Sequence, residues 1–196
     1  MTQMPMPDHL GDPSNEVPVL NIPNLLTVAR LLMVPVFGYL VLAVDQTINV
    51  QWASATVFLI AAVTDLVDGV WARRYGLVTN FGKIADPIAD KALIGTALVA
   101  LSIQAEISWW VTGIIIFREV AITFLRFWVI KHGVIPASRG GKVKTVSQIV
   151  AIVAFLIPIH GWVDMVAQMS LGVALALTIT TGIDYVLKAR IRPQAS

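Results

Sequence analysis

The sequence predicts an all-α polytopic membrane protein, a bundle of six transmembrane helices with a polar cavity on the cytoplasmic side. Three observations lead there. Of 196 residues, 57% are hydrophobic and only 13% charged, with mean hydropathy +0.77, whereas a soluble domain carries about a quarter charged residues. Six apolar segments are long enough, or nearly so, to cross a hydrocarbon layer about 30 Å thick. Four aspartates interrupt this apolar background at helical spacing, Asp65 with Asp68 and Asp86 with Asp90.

Residues 1–21 hold Asp8, Asp12, Glu16 and four prolines but no Lys or Arg. A secretory signal needs a basic start and an apolar middle, so this stretch reads as a loosely attached tail. Residues 22–190 form one membrane domain, and 191–196 are a short C-terminal tail. The absence of cysteine excludes disulfides and thiolate metal sites.

The expected spans are Leu25–Val44, Trp52–Val70, Ile84–Ile103, Ile107–Ile130, Val143–Ile159 and Trp162–Val186. Short linkers make neighbours antiparallel. Span one opens with N-I-P-N-L-L-T, where Pro23 suits a helix start and Asn24 or Thr27 can cap it. Both also share a face that can bond a polar headgroup. Arg30 lies two turns in, too deep to stand without a partner. Spans two and three carry the aspartates, joined by a loop containing Thr79 and Gly82, which could line a nucleotide pocket. Pro87 is placed in the first turn of span three, where proline is tolerated. Lys91 adjoins Asp90 but points about 100° away and has no assigned role. Span four holds Arg118, Glu119 and Arg126, costly unless paired or facing water. They either bind a ligand, or Glu119 pairs with an arginine to hold the bundle. Span five opens with R-G-G-K-V-K-T-V-S-Q, where Arg139, Lys142 and Lys144 at a helix N-terminus suit an anion. Pro158 ends span five.

Lys and Arg crowd the loops after spans two, four and six, while the alternate loops carry none. The positive-inside rule then places both termini and the aspartates in the cytoplasm. Asp65 and Asp68 share one helix face, as do Asp86 and Asp90. Four carboxylates converging in a dry site stay ionised only around a cation, and hard oxygen donors suit Mg²⁺, Mn²⁺ or Ca²⁺. For one pair alone, solvated helix-end carboxylates would be an equally good reading. With four, and Gly69 and Arg73 interleaved, a site is favoured.

The pattern D-x2-D-G-x2-A-R-x8-G-x3-D-x3-D is met at all its fixed positions by Asp65, Asp68, Gly69, Ala72, Arg73, Gly82, Asp86 and Asp90. On these residues the chain resembles the CDP-alcohol phosphatidyltransferases. Its N-I-P-N-L-L-T and G-K-V-K-T-x2-Q segments are similar to the phosphatidylglycerophosphate-forming branch of that family. The resemblance implies transfer of a phosphatidyl group from CDP-diacylglycerol to glycerol 3-phosphate, releasing CMP. Asp65, Asp68, Asp86 and Asp90 would hold Mg²⁺ or Mn²⁺, with two ions expected, and Asp90 would be the general base. Asn24, Thr27, Asp65, Gly69, Ala72, Arg73, Thr79 and Gly82 would contact CDP-diacylglycerol. Arg118, Arg139, Lys142 and Lys144 would bind the acceptor phosphate. The resemblance further implies a homodimer in the bacterial cytoplasmic membrane, among membrane lipid and without a nucleic-acid partner. Inositol 1-phosphate is the alternative acceptor, since cations suit a phosphorylated alcohol, and phosphatidylglycerol, giving cardiolipin, is the third. A cation channel or transporter is disfavoured, because the carboxylates gather near one membrane face instead of lining a path across.

Overall fold

The computed structural model describes residues 21–43, 45–75, 79–129 and 139–191, with side chains at 23, 66, 68–75, 80, 81, 83, 125–129, 139–142 and 185–191 outside the description. The described residues form six α-helices: α1 Ile22–Val41, α2 Ile48–Tyr75, α3 Asn80–Ile103, α4 Trp109–Val129, α5 Arg139–Leu156 and α6 Trp162–Ile191. The two tails, apart from Asn21 and Ile191, fall outside that set.

Helix starts follow local chemistry. Asn21, in extended conformation, caps α1 by accepting the Asn24 amide at 2.9 Å, with Pro23 in the first turn. The cap therefore lies three residues before Asn24, which together with Thr27 sits inside the helix. Thr79 caps α3 by accepting the Gly82 amide at 3.0 Å. Thr79 and Gly82 thus belong to a helix start, not to a free loop. Pro87 consequently lies inside α3, beyond the first turn expected for it, and removes the bond to the carbonyl of Lys83.

Helix ends are equally specific. α3 closes with Ala105 in the left-handed region at φ 62°, Glu106 N donating to Leu101 O at 3.0 Å and Ala105 N to Ser102 O at 3.2 Å. That is the paired bonding of a Schellman motif. At the end of α1, Gln46 Nε2 reaches three carbonyls, those of Leu40, Val41 and Ala43, and Gln104 Nε2 reaches Val41 O at 2.7 Å. α5 stops at Leu156, two residues before Pro158, as the restriction on pre-proline residues dictates.

α1 packs on α2 and α3, α5 lies along α6 and also meets α2 and α3, and α4 rests on α3 and α6. The core between them is apolar and close-packed, with Phe37 and Phe58 ring centroids 5.5 Å apart. The outer surface is apolar too. Trp110, Phe117 and Phe124 recur every seven residues on α4, each more than 70% exposed. Such stripes are rare on soluble monomers and suit lipid. α1, α2 and α6 contain stretches long and apolar enough to cross a membrane, Asn24–Val41, Ile48–Asp65 and Trp162–Asp184, and α5 a shorter one, Val143–Leu156. Among the described residues, three of the six expected spans thus qualify on length and composition.

Candidate active site

The described residues singled out in the sequence as site candidates collect at one end of the bundle, where α1, α3 and α5 begin and α2, α4 and α6 finish. They form two networks.

The first joins α1, α2 and α3. Arg30 is fully buried; its Nη1 meets Asp65 Oδ1 at 2.6 Å and its Nε donates to the Ala61 carbonyl at 3.2 Å. The deep arginine of span one thus has its partner, and Asp65 has a fixed direction. One turn earlier on the same face, the Thr27 hydroxyl donates to Asp86 Oδ1. One turn earlier again, Thr79 Oγ1 donates to Asn24 Oδ1 at 2.8 Å. Asn24, Thr27 and Arg30 therefore form a single ridge of α1 that addresses α3, α3 and α2 in turn. Gly82 is buried against it. A Cβ there would stand 3.0 Å from Asn24 Oδ1, 3.3 Å from Thr79 Oγ1 and 3.6 Å from Asp86 Oδ2.

The second network joins α3, α4, α5 and α6. Asp90 Oδ2 accepts from Lys91 Nζ at 3.1 Å, and the same ammonium meets Glu119 Oε2 at 2.9 Å. Glu119 Oε1 accepts from Arg118 Nη1 at 2.9 Å and from Lys144 Nζ. Arg118 Nη2 donates to Thr181 Oγ1 at 2.7 Å. Among the described residues, buried Arg118 Nε and Gln148 Nε2 have no hydrogen-bond acceptor. Gly182 makes room for the arginine stem, since a Cβ there would touch Arg118 Cγ at 3.4 Å.

Set against the sequence reading, Asn24, Thr27, Asp65, Thr79, Gly82 and Asp86 meet through α1, and Asp90, Arg118 and Lys144 meet through Lys91 and Glu119. Glu119 pairs with Arg118, as one of the two readings of span four held. Lys91 diverges from Asp90 in backbone direction, but its four-carbon stem covers the offset. The signal for it was Glu119, an acid inside an apolar helix that needs a cation from a neighbour. Asp68, Gly69, Ala72 and Arg73 lie on the last two turns of α2, Arg139 and Lys142 in the first turn of α5, and Arg126 on α4, with side chains outside the described ones.

Among the described residues no three carboxylate or imidazole groups lie close enough together to hold an ion. Asp68 is outside that set. In donor chemistry the site fits a hard divalent cation, since Asp65 and Asp86 come from packed helices and address adjoining turns of α1.

A helical membrane protein with carboxylates and cations gathered at one end of its bundle is the class that fold and site define. A family model described as CDP-alcohol phosphatidyltransferase matches residues 20–180. The protein named probable phosphatidylglycerophosphate synthase in Mycobacterium tuberculosis is 45% identical over 186 residues, covering 91% of this chain and 86% of its own. CDP-diacylglycerol–glycerol-3-phosphate 3-phosphatidyltransferases are 39% identical over 185 residues in Bacillus subtilis and over 176 in Escherichia coli K12, each covering 87% of this chain and 95% of its own. The chain belongs to the CDP-alcohol phosphatidyltransferase family.

Proposed function

We propose that the protein transfers the phosphatidyl group of CDP-diacylglycerol to glycerol 3-phosphate, forming phosphatidylglycerophosphate and CMP. The observation that carries this reading is the chain of contacts from Asp90 to Lys91, from Lys91 to Glu119, and from Glu119 to Arg118 and Lys144. A carboxylate able to take a proton is thereby tied, through Lys91 and Glu119, to cations able to hold a phosphate. The names of the bacterial relatives point to the same reaction.

In this reading Asp90 accepts the proton of an acceptor hydroxyl as its oxygen attacks the phosphorus bearing diacylglycerol. The bond from that phosphorus to the bridging oxygen breaks, and CMP leaves with the electron pair. Arg118, Arg139, Lys142 and Lys144 hold the phosphate of the acceptor, so that charge-assisted bonds orient its hydroxyl. Asn24, Thr27, Gly69, Ala72, Arg73, Thr79 and Gly82 line the CDP-diacylglycerol site, where glycine and alanine leave space and the Arg73 guanidinium matches a phosphate. Asp65, Asp68, Asp86 and Asp90 would hold Mg²⁺ or Mn²⁺, two ions in all. When bound, such ions polarise the pyrophosphate and offset the charge growing on CMP. By the positive-inside rule this end of the bundle and both termini face the cytoplasm of a bacterial cell. The protein works as a homodimer, as its family resemblance implies.

The test is an acceptor panel on purified protein with CDP-diacylglycerol and Mg²⁺ or Mn²⁺. Glycerol 3-phosphate should yield CMP and phosphatidylglycerophosphate, and Asp90→Asn should lower turnover at least about a hundredfold. Turnover confined to inositol 1-phosphate or phosphatidylglycerol would move the assignment to another branch. No CMP from any acceptor, in folded protein, would refute the transferase reading.

A further inference from the structure

Glu119 is where the cations of three helices meet. Both of its oxygens are engaged, Oε1 by Arg118 of α4 and Lys144 of α5, and Oε2 by Lys91 of α3. Lys91 in turn grips Asp90 with the same ammonium. Three cations against two carboxylates leave one positive charge, and Lys144 and Glu119 are nearly buried. Like charges so placed repel strongly in a medium of low dielectric, and Glu119 is the counter-charge that all three share. An ammonium shared by two carboxylates on different helices also fixes the distance between them.

We propose that Glu119 and Lys91 act as a positioning arm. Glu119 gathers Arg118 and Lys144 into one cradle for the acceptor phosphate, and Lys91 ties that cradle to Asp90, so that phosphate and base keep a set separation. This rests on the transferase reading above. Neither residue is catalytic, since each acts through its neighbours.

The arm makes two separable demands. The cradle governs acceptor binding, so Glu119→Gln raises KM for glycerol 3-phosphate about tenfold, the loss of one charge-assisted contact, and leaves KM for CDP-diacylglycerol within about twofold of the parent. The tie governs the base, so Lys91→Met lowers kcat about tenfold or more with KM for glycerol 3-phosphate changed less than about threefold. Lys91→Arg, whose guanidinium still spans two carboxylates, recovers most of that kcat. Should Glu119→Gln or Lys91→Met fail to fold, Glu119→Asp and Lys91→Gln take their places with the same directions expected.

Steady-state kinetics in detergent micelles, beside thermal midpoints of each variant, decide the matter. A fall in both KM selectivity and midpoint with no split between the two variants would reduce the arm to a helix clamp and overturn the proposal. A lower KM for glycerol 3-phosphate in Glu119→Gln would also overturn it, by making Glu119 a competitor of the phosphate. Failure of the parent itself to use glycerol 3-phosphate would strike the transferase reading, and the arm with it; normal parent turnover with unsplit variants would strike the arm alone.

Discussion

Gly82 has three oxygens around the place where its side chain would begin, and two of them are already committed. Thr79 Oγ1 accepts the Gly82 amide while donating to Asn24 Oδ1. Gly82→Ala therefore has to displace Asn24 or Thr79, and overpacking of this kind costs about 1–3 kcal/mol. We expect a lower thermal midpoint and reduced CMP release, measured by scanning fluorimetry and product assay; parent-like values in both would show the space to be adequate. The motif glycine could be read from sequence, but its reason could not, because that reason is the approach of α1 from 55 or more positions away. Arg30 is the converse case. A buried cation demanded a partner, and the fold supplies Asp65 of α2. The extra grip on the Ala61 carbonyl follows from the guanidinium having donors to spare. Lys91 was harder, since the backbone direction of a lysine says little about where its ammonium ends.

Helix existence was legible from hydropathy and helix ends only in part. Pro158 marked the stop of α5, whereas the starts of α1 and α3 moved toward earlier caps, Asn21 and Thr79, because a cap is chosen by the extended conformation of its backbone as well as by its side chain. The close of α3 carries a cost that sequence did not reveal. Ala105 occupies the left-handed region that glycine usually fills, at about 1 kcal/mol. Ala105→Gly should raise the unfolding free energy by up to about 1 kcal/mol, less the entropy glycine adds to the unfolded chain. Since this turn lies at the end of the bundle away from the aspartates, turnover should stay at the parent level. A lower thermal midpoint would contradict the assignment of strain.

At the scale of the molecule, membrane character followed from composition, and the meeting of α1 through α6 at one polar end followed from short connections between antiparallel neighbours. The pairing of those helices was legible least for α2, α5 and α6, around which hydropathy is nearly uniform and names no partner face. The chain has no cysteine, so sidedness can be checked with single introduced thiols. In intact cells His160→Cys, at the exposed turn between α5 and α6, should react with an impermeant maleimide. Gln194→Cys should react only after the membrane is opened. The reverse pattern would invert the orientation drawn from Lys and Arg.

The turn at Ile157–Gly161 has a further use. It joins two helices packed along their length, its Gly161 amide is held by Asp164 Oδ2 at 2.8 Å, and it stands at the end opposite Asp65, Asp86 and Asp90. A protein of this size, sheathed in detergent, offers electron microscopy almost no outline by which particles can be aligned. A rigid soluble domain grafted between α5 and α6 would supply that outline while leaving the reacting end of the bundle as nature built it.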